Sequence, residues 1–205
     1  GSENNSARSV ELSKLANAPL YFESNTGQFE DSAPFIARGT ACSVLLAPTA
    51  AQILLGKPSG HFSPADSVPR IVRLELMGAN PGAKIGGLNL MPAKANYFFG
   101  GEPAQWHTGV SMYSKVRVVD EYPAVDVIYY ANQSAQLEYD FQLQPGAVAD
   151  QIHFRIAGAD NIQVDAAGNL VLKIGAEEIS QHKPLAYQLN HGALKEVPAS
   201  YRLNA

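Results

Sequence analysis

Hydrophobic and polar residues alternate most strictly between Leu137 and Leu143. Leu137, Tyr139, Phe141 and Leu143 fall on one side, and Glu138, Asp140 and Gln142 on the other. A period of two is that of a strand with one buried face. The preceding run, Val125 to Tyr130, is rich in β-branched and aromatic residues, which predicts a strand buried in part on both faces. The short polar stretch between the runs predicts an antiparallel hairpin, and Gln144-Pro145-Gly146 ends it.

The same rhythm of short apolar runs and turn residues extends over most of the chain. Strands are predicted at Leu20–Phe22, Phe35–Arg38, Cys42–Leu46 and Gln52–Leu55, with turns at Asn25-Thr26-Gly27-Gln28 and Pro48-Thr49-Ala50. Ile71–Met77 alternates, with Val72, Leu74 and Leu76 on its apolar side. Lys84–Leu90 is a weaker, glycine-interrupted strand, and Tyr113–Val119 leads into the hairpin. Gln151–Ile156, Ile162–Val164, Leu170–Ile174, Glu178–Gln181, Leu185–Leu189 and Val197–Leu203 complete the series, with Asn190-His191-Gly192 as a hairpin turn. Ser9–Ala16 allows one short N-terminal helix. Lys57–Pro69, rich in proline and serine, reads as a mobile surface loop. The expectation is an all-β, antiparallel β-sandwich of two large sheets. Residues 1–18 form a cloning remnant (Gly1-Ser2) and a loose leader, and 19–205 a single domain.

Composition narrows the class. A hydrophobic fraction of 46% in 205 residues supports a core. The net charge of −4 comes without a basic block, so nucleic acid is not an expected partner. No apolar run reaches the roughly 18 residues of a membrane helix, and no membrane insertion is expected. The single cysteine, Cys42, lies in a strand pattern and reads as a buried inert thiol. His61, His107, His153, His182 and His191 show no metal-binding spacing, and neither metal nor cofactor is expected. Asp165–Asn169 lacks the further acids of a calcium loop and reads as a turn.

Two clusters could carry chemistry. Glu138 and Asp140 share a strand face about 7 Å apart, and Asp126 on the neighbouring strand could approach them. Paired carboxylates beside tyrosines are what glycoside hydrolysis requires; a salt-bridged strand face has the same pattern. Tyr97, Phe98, Trp106 and Tyr113 could form a sugar-stacking platform, with Trp106 favoured by its polar flanks; core packing is the alternative. Asn132-Gln133-Ser134 matches a glycosylation sequon.

Several motifs in one order carry a family resemblance. They are Asn25-x-Gly27-Gln28, Gly78-Ala79-Asn80-Pro81, Asn96-Tyr97-Phe98 with Trp106, Tyr122-Pro-x-Val-Asp126-x-x-Tyr129-Tyr130, Leu137-Glu-Tyr-Asp-Phe141 and Pro145-Gly146. Over Pro19–Leu203 the chain resembles the N-terminal domain of unknown function of secreted bacterial proteins with SBBP (β-propeller type) repeats. The resemblance implies a secreted or cell-surface module ahead of repeats of the same chain, which are the expected partner; a glycan, expected from the aromatic cluster, or another surface protein is the further partner expected. The expected function is a non-catalytic structural or interaction module. The alternative is a carbohydrate-binding or carbohydrate-cleaving domain using Glu138, Asp140 and Trp106.

Overall fold

The computed structural model describes residues 5–8, 20–29, 32–38, 42–55, 70–132 and 136–204. The first eight strands are β1 (Asn5–Arg8), β2 (Phe22–Ser24), β3 (Phe35–Arg38), β4 (Cys42–Ala47), β5 (Ala50–Leu55), β6 (Arg70–Met77), β7 (Lys84–Tyr97) and β8 (His107–Tyr122). They are followed by β9 (Val125–Ala131), β10 (Leu137–Leu143), β11 (His153–Ala157), β12 (Asn161–Val164), β13 (Leu170–Ile174), β14 (Glu177–Gln181), β15 (Leu185–Asn190) and β16 (Ala193–Val197). Among the described residues, helix is confined to two 3-10 turns, Pro103–Gln105 and Ala149–Gln151.

The predicted hairpin is present. β9 and β10 pair in full register from Val125↔Leu143 to Ala131↔Leu137, and the four apolar positions of β10 are buried while the three polar ones are not. β6 follows its alternation too, with Val72, Leu74 and Leu76 inside. β3, β4 and β5 form the predicted meander, and β15 and β16 join through His191-Gly192, both at positive φ.

One strand joins the two halves of the large sheet. β8 carries β7 along one edge. Its other edge pairs with β9 from Lys115 to Tyr122 and with β2 at Met112 and Tyr113. From β9 the sheet continues through β10, β1 and β15 to β16; from β2 it continues through β3, β4, β5 and β6 to β11. The two wings curl face to face. Tyr139 and Phe141 of β10 meet Phe154 of β11, with ring centroids 6.3 and 6.0 Å apart. Between the wings lies a small, mainly apolar cavity of about 20 Å³ bordered by Ala51, Leu74, Leu76, Tyr129, Tyr139, Phe141 and Phe154. The separate sheet β12–β13–β14 adds Leu172, Ile174 and Ile179 to the same core.

The all-β antiparallel sandwich therefore agrees with the sequence pattern, with four differences. Its layers are wings of one continuous 13-stranded sheet plus a three-stranded one, rather than two separate large sheets. Asn5–Arg8, expected to be loose, is a strand between β10 and β15; its polar sequence has no apolar alternation to announce it. The last strand is Ala193–Val197, not Val197–Leu203, because Pro198 has no N–H to extend the ladder. β7 and β8 are longer than expected, 14 and 16 residues. Their outer halves bury little, so no apolar alternation announces them. The expected helix at Ser9–Ala16 and loop at Lys57–Pro69 lie outside the described residues.

Two substitution pairs test this packing. Phe141→Ala should destabilise by about 3–5 kcal/mol, since it enlarges an existing void, whereas Gln142→Ala should cost less than about 0.5 kcal/mol; denaturant midpoints decide. In β7, a Cβ on Gly87 would collide with the Tyr113 ring, whereas one on Gly86 meets nothing within 4 Å. Gly87→Ala should cost about 1–3 kcal/mol by overpacking, and Gly86→Ala should be near neutral.

Candidate functional site

The three acids singled out from the sequence share the outer face of β9 and β10, where Asp126 sits opposite Gln142 and Asp140 opposite Ile128. Each already has a donor. Arg117 on β8 donates from Nε (3.1 Å) and from a terminal nitrogen to Asp126 Oδ2, and the Asp120 backbone N–H donates to Oδ1 at 2.8 Å. The Tyr130 hydroxyl contacts both oxygens of Asp140 at 3.1 Å. Asn132 donates to Glu138 Oε1 at 2.9 Å, so the sequon asparagine is engaged through its side-chain nitrogen. Lys115 stands over the Tyr130 ring, 5.3 Å from its centroid. This is a ladder of charged and polar cross-strand contacts, which stabilise a sheet face.

The four aromatic candidates divide into three groups. Tyr113 lies at the level of β2 and packs edge-on against Phe35, 5.8 Å between centroids. Its place in the ladder is six residues from His107, roughly 20 Å along the strand, so it shares no platform with Trp106. Tyr97, at the end of β7, is half-buried; its hydroxyl donates to Glu23 Oε2, and its ring stacks on Phe99 at 5.7 Å and meets Phe29 edge-on at 5.6 Å. Phe98 and Trp106 project from the connection between β7 and β8, with rings 5.2 Å apart and nearly perpendicular at 87°. Phe98 is 63% exposed, Phe99 47% and Trp106 39%. This connection caps a two-stranded arm, since among the described residues β7 pairs with β8 alone and β8 has no second partner before Met112.

Other candidates resolve simply. Cys42 is buried, and its thiol is pushed up to about 11 by burial, with the Glu177 charge adding to it. Asp165 accepts from the Asn169 side chain and from the N–H groups of Ala167 and Asn169, which holds its carboxyl below the usual range and closes a tight turn. Among the described residues, no three His, Cys, Asp or Glu side chains are grouped to hold a metal ion.

Residues 22–205 match the family described as a domain of unknown function, DUF7948. The chain belongs to that family. No curated protein and no solved structure matches it.

The DUF7948 domain also contains a carboxylate that the sequence did not reveal. Glu121 is fully buried and neither oxygen has a hydrogen-bond partner. It lies where the β8–β9 register shifts between Val118 and Tyr122, beside Asp120 at φ 55°. Asn80 braces this bulge: its N–H donates to Glu121 O at 2.7 Å and its side chain to Asp120 O at 3.1 Å. A bulge breaks the alternation of sides, so the position of Glu121 in the strand gives no signal of its burial. Burial pushes its carboxyl up to about 8.

The folded domain thus holds the Glu121 proton more tightly than the unfolded chain. Its contribution to stability is complete below pH 4.5 and is lost as pH rises to about 8, at up to about 1.4 kcal/mol per pH unit. Glu121→Gln should remove this component, so melting temperatures of variant and wild type should diverge between pH 5 and pH 8 in favour of the variant.

Proposed function

We propose that this domain is a non-catalytic interaction module of a secreted or cell-surface bacterial protein, and that the tip of the β7–β8 arm is its contact surface. The observation that carries this reading is the exposure of Phe98, Phe99 and Trp106 together at the end of a two-stranded arm. Adjacent exposed aromatics on a polar surface mark interaction sites, and tryptophan is among the residues that contribute most to binding. The occupied oxygens of Asp126, Glu138 and Asp140 support the non-catalytic part. Placement ahead of propeller-type repeats, with those repeats as the partner, rests on the motif resemblance of Asn25 to Gly146.

A carbohydrate partner is the second reading, favoured by the same exposed rings. Phe98 and Trp106 meet at 87°, which gives a corner with two aromatic walls rather than one flat platform. Such a corner accommodates a single sugar ring against one face.

Trp106 is the only tryptophan, so its fluorescence reports on the tip directly. Acrylamide quenching should fall when the domain is measured within the longer natural polypeptide that includes the following repeats. Equal quenching in both would remove the repeats as partner. A polysaccharide panel that blue-shifts the emission and raises the melting temperature would establish the second reading instead, since only a ligand of the folded state stabilises it.

A further inference from the structure

We propose that Glu23, Arg38 and Tyr97 form a clamp that fixes the aromatic tip in one orientation, making Tyr97 a positioning residue for Phe98 and Trp106. Its purpose rests on the contact-surface reading above; the clamp itself stands on the geometry of three side chains from three strands. The Tyr97 hydroxyl, on β7, donates to Glu23 Oε2 on β2. Arg38 on β3 brings its Nε to 3.8 Å from that same oxygen. Its guanidinium carbon lies 4.6 Å from the Phe29 centroid and 5.4 Å from that of Tyr97. Tyr97 is therefore held by a carboxylate at its hydroxyl, a cation at its ring and Phe29 at its edge. Burial, and then the bond to Glu23, push the Tyr97 hydroxyl up to about 12, so it remains a donor across the physiological range.

The contacts run onward to the tip. Tyr97 stacks on Phe99; Phe98, the residue between them, packs against Trp106. The other strand of the arm is held at the same level, because His107 pairs with Tyr97 and its ring lies 3.3 Å from where a Cβ on Gly27 would stand. The loop that carries Gly27 and Phe29 is itself fixed. Asn25 donates to Ala33 O at 3.0 Å, and Gln28 donates to Ser24 O at 2.7 Å while accepting from the Thr26 N–H at 2.6 Å. The Asn25-x-Gly27-Gln28 motif thus builds a cradle for the arm. A two-stranded ribbon on its own is marginally stable; one anchored near its far end presents its rings already ordered, which lowers the entropy lost on binding.

The test needs no partner. Tyr97→Phe keeps the ring and removes only the hydroxyl. Tyr130→Phe is the control, because it removes a hydroxyl bonded to a carboxylate away from the tip. Amide exchange over residues 96–108 should accelerate at least about fivefold in Tyr97→Phe, the factor that one lost hydrogen bond of typical strength produces in a local opening equilibrium. Acrylamide quenching of Trp106 should rise with it. Tyr130→Phe should change neither. Unchanged exchange and quenching in Tyr97→Phe, or equal changes in both variants, would overturn the clamp. If the clamp responds as expected but no repeat or glycan protects Trp106, the contact-surface reading fails while the clamp stands.

Discussion

The architecture depends on one shared edge. β8 hydrogen-bonds to β9 as far as Lys115 and to β2 from Tyr113, so the handover between wings takes place across Ser114. Both layers of the sandwich are thereby fixed to a single backbone, and their separation and crossing angle follow from how β8 twists. At this level β7 carries Asn89 at φ 56° and leaves Gly87 without a side chain. The Tyr113 ring occupies the space that a side chain there would need. The bend and the small residue are one feature: without Gly87, Tyr113 could not lie beneath the junction and close the core against Phe35.

Past that junction the two ends of β8 differ in kind. The C-terminal half is central in the sheet, with Val116 and Val118 fully buried and Arg117 tied to Asp126. It ends in the bulge that turns Glu121 inward. The N-terminal half has β7 as its main partner and leaves the body as an arm. One strand thus runs from exposed Thr108 and Gly109 to fully buried Val116 and Val118. At the arm's outer end, where hydrophobic burial is small, Tyr97 meets Glu23, Arg38 and Phe29.

The legibility of the sequence follows the same division. In β6 and β10, which each bury one face, the alternation located the strand to within a residue. Where a strand buries little, as in the outer arm, or reads as polar throughout, as in β1, composition carried no signal. Chemistry was legible only in part. The alternation placed Glu138 and Asp140 on one face, with Asp126 able to approach from the neighbouring strand, but their partners Arg117, Tyr130 and Asn132 depend on cross-strand neighbours that periodicity does not supply. Tyr113 and Trp106 were grouped in one platform, with Trp106 favoured by its polar flanks; the handover at Ser114 packs Tyr113 against the core and leaves Trp106 exposed. Glu121 was hidden because a register shift reverses which side its position faces, and Glu23 because its partners lie 15 and 74 residues away.

The unpaired edge of β7 has a consequence for how this molecule behaves in a crowd. A straight strand of 14 residues with a free edge is a template on which other chains can add and grow into aggregates. Among the described residues β7 pairs with β8 alone, yet its register breaks between Leu90 and Lys94 and again between Ala95 and Tyr97. Pro92 and Lys94 lie in or beside the first break. Proline offers no N–H to an incoming strand, the lysine opposes stacking of like copies, and the irregular register prevents a long continuous match. The same irregularities that re-aim the outer part of β7 thereby leave its free edge a poor template for a second copy.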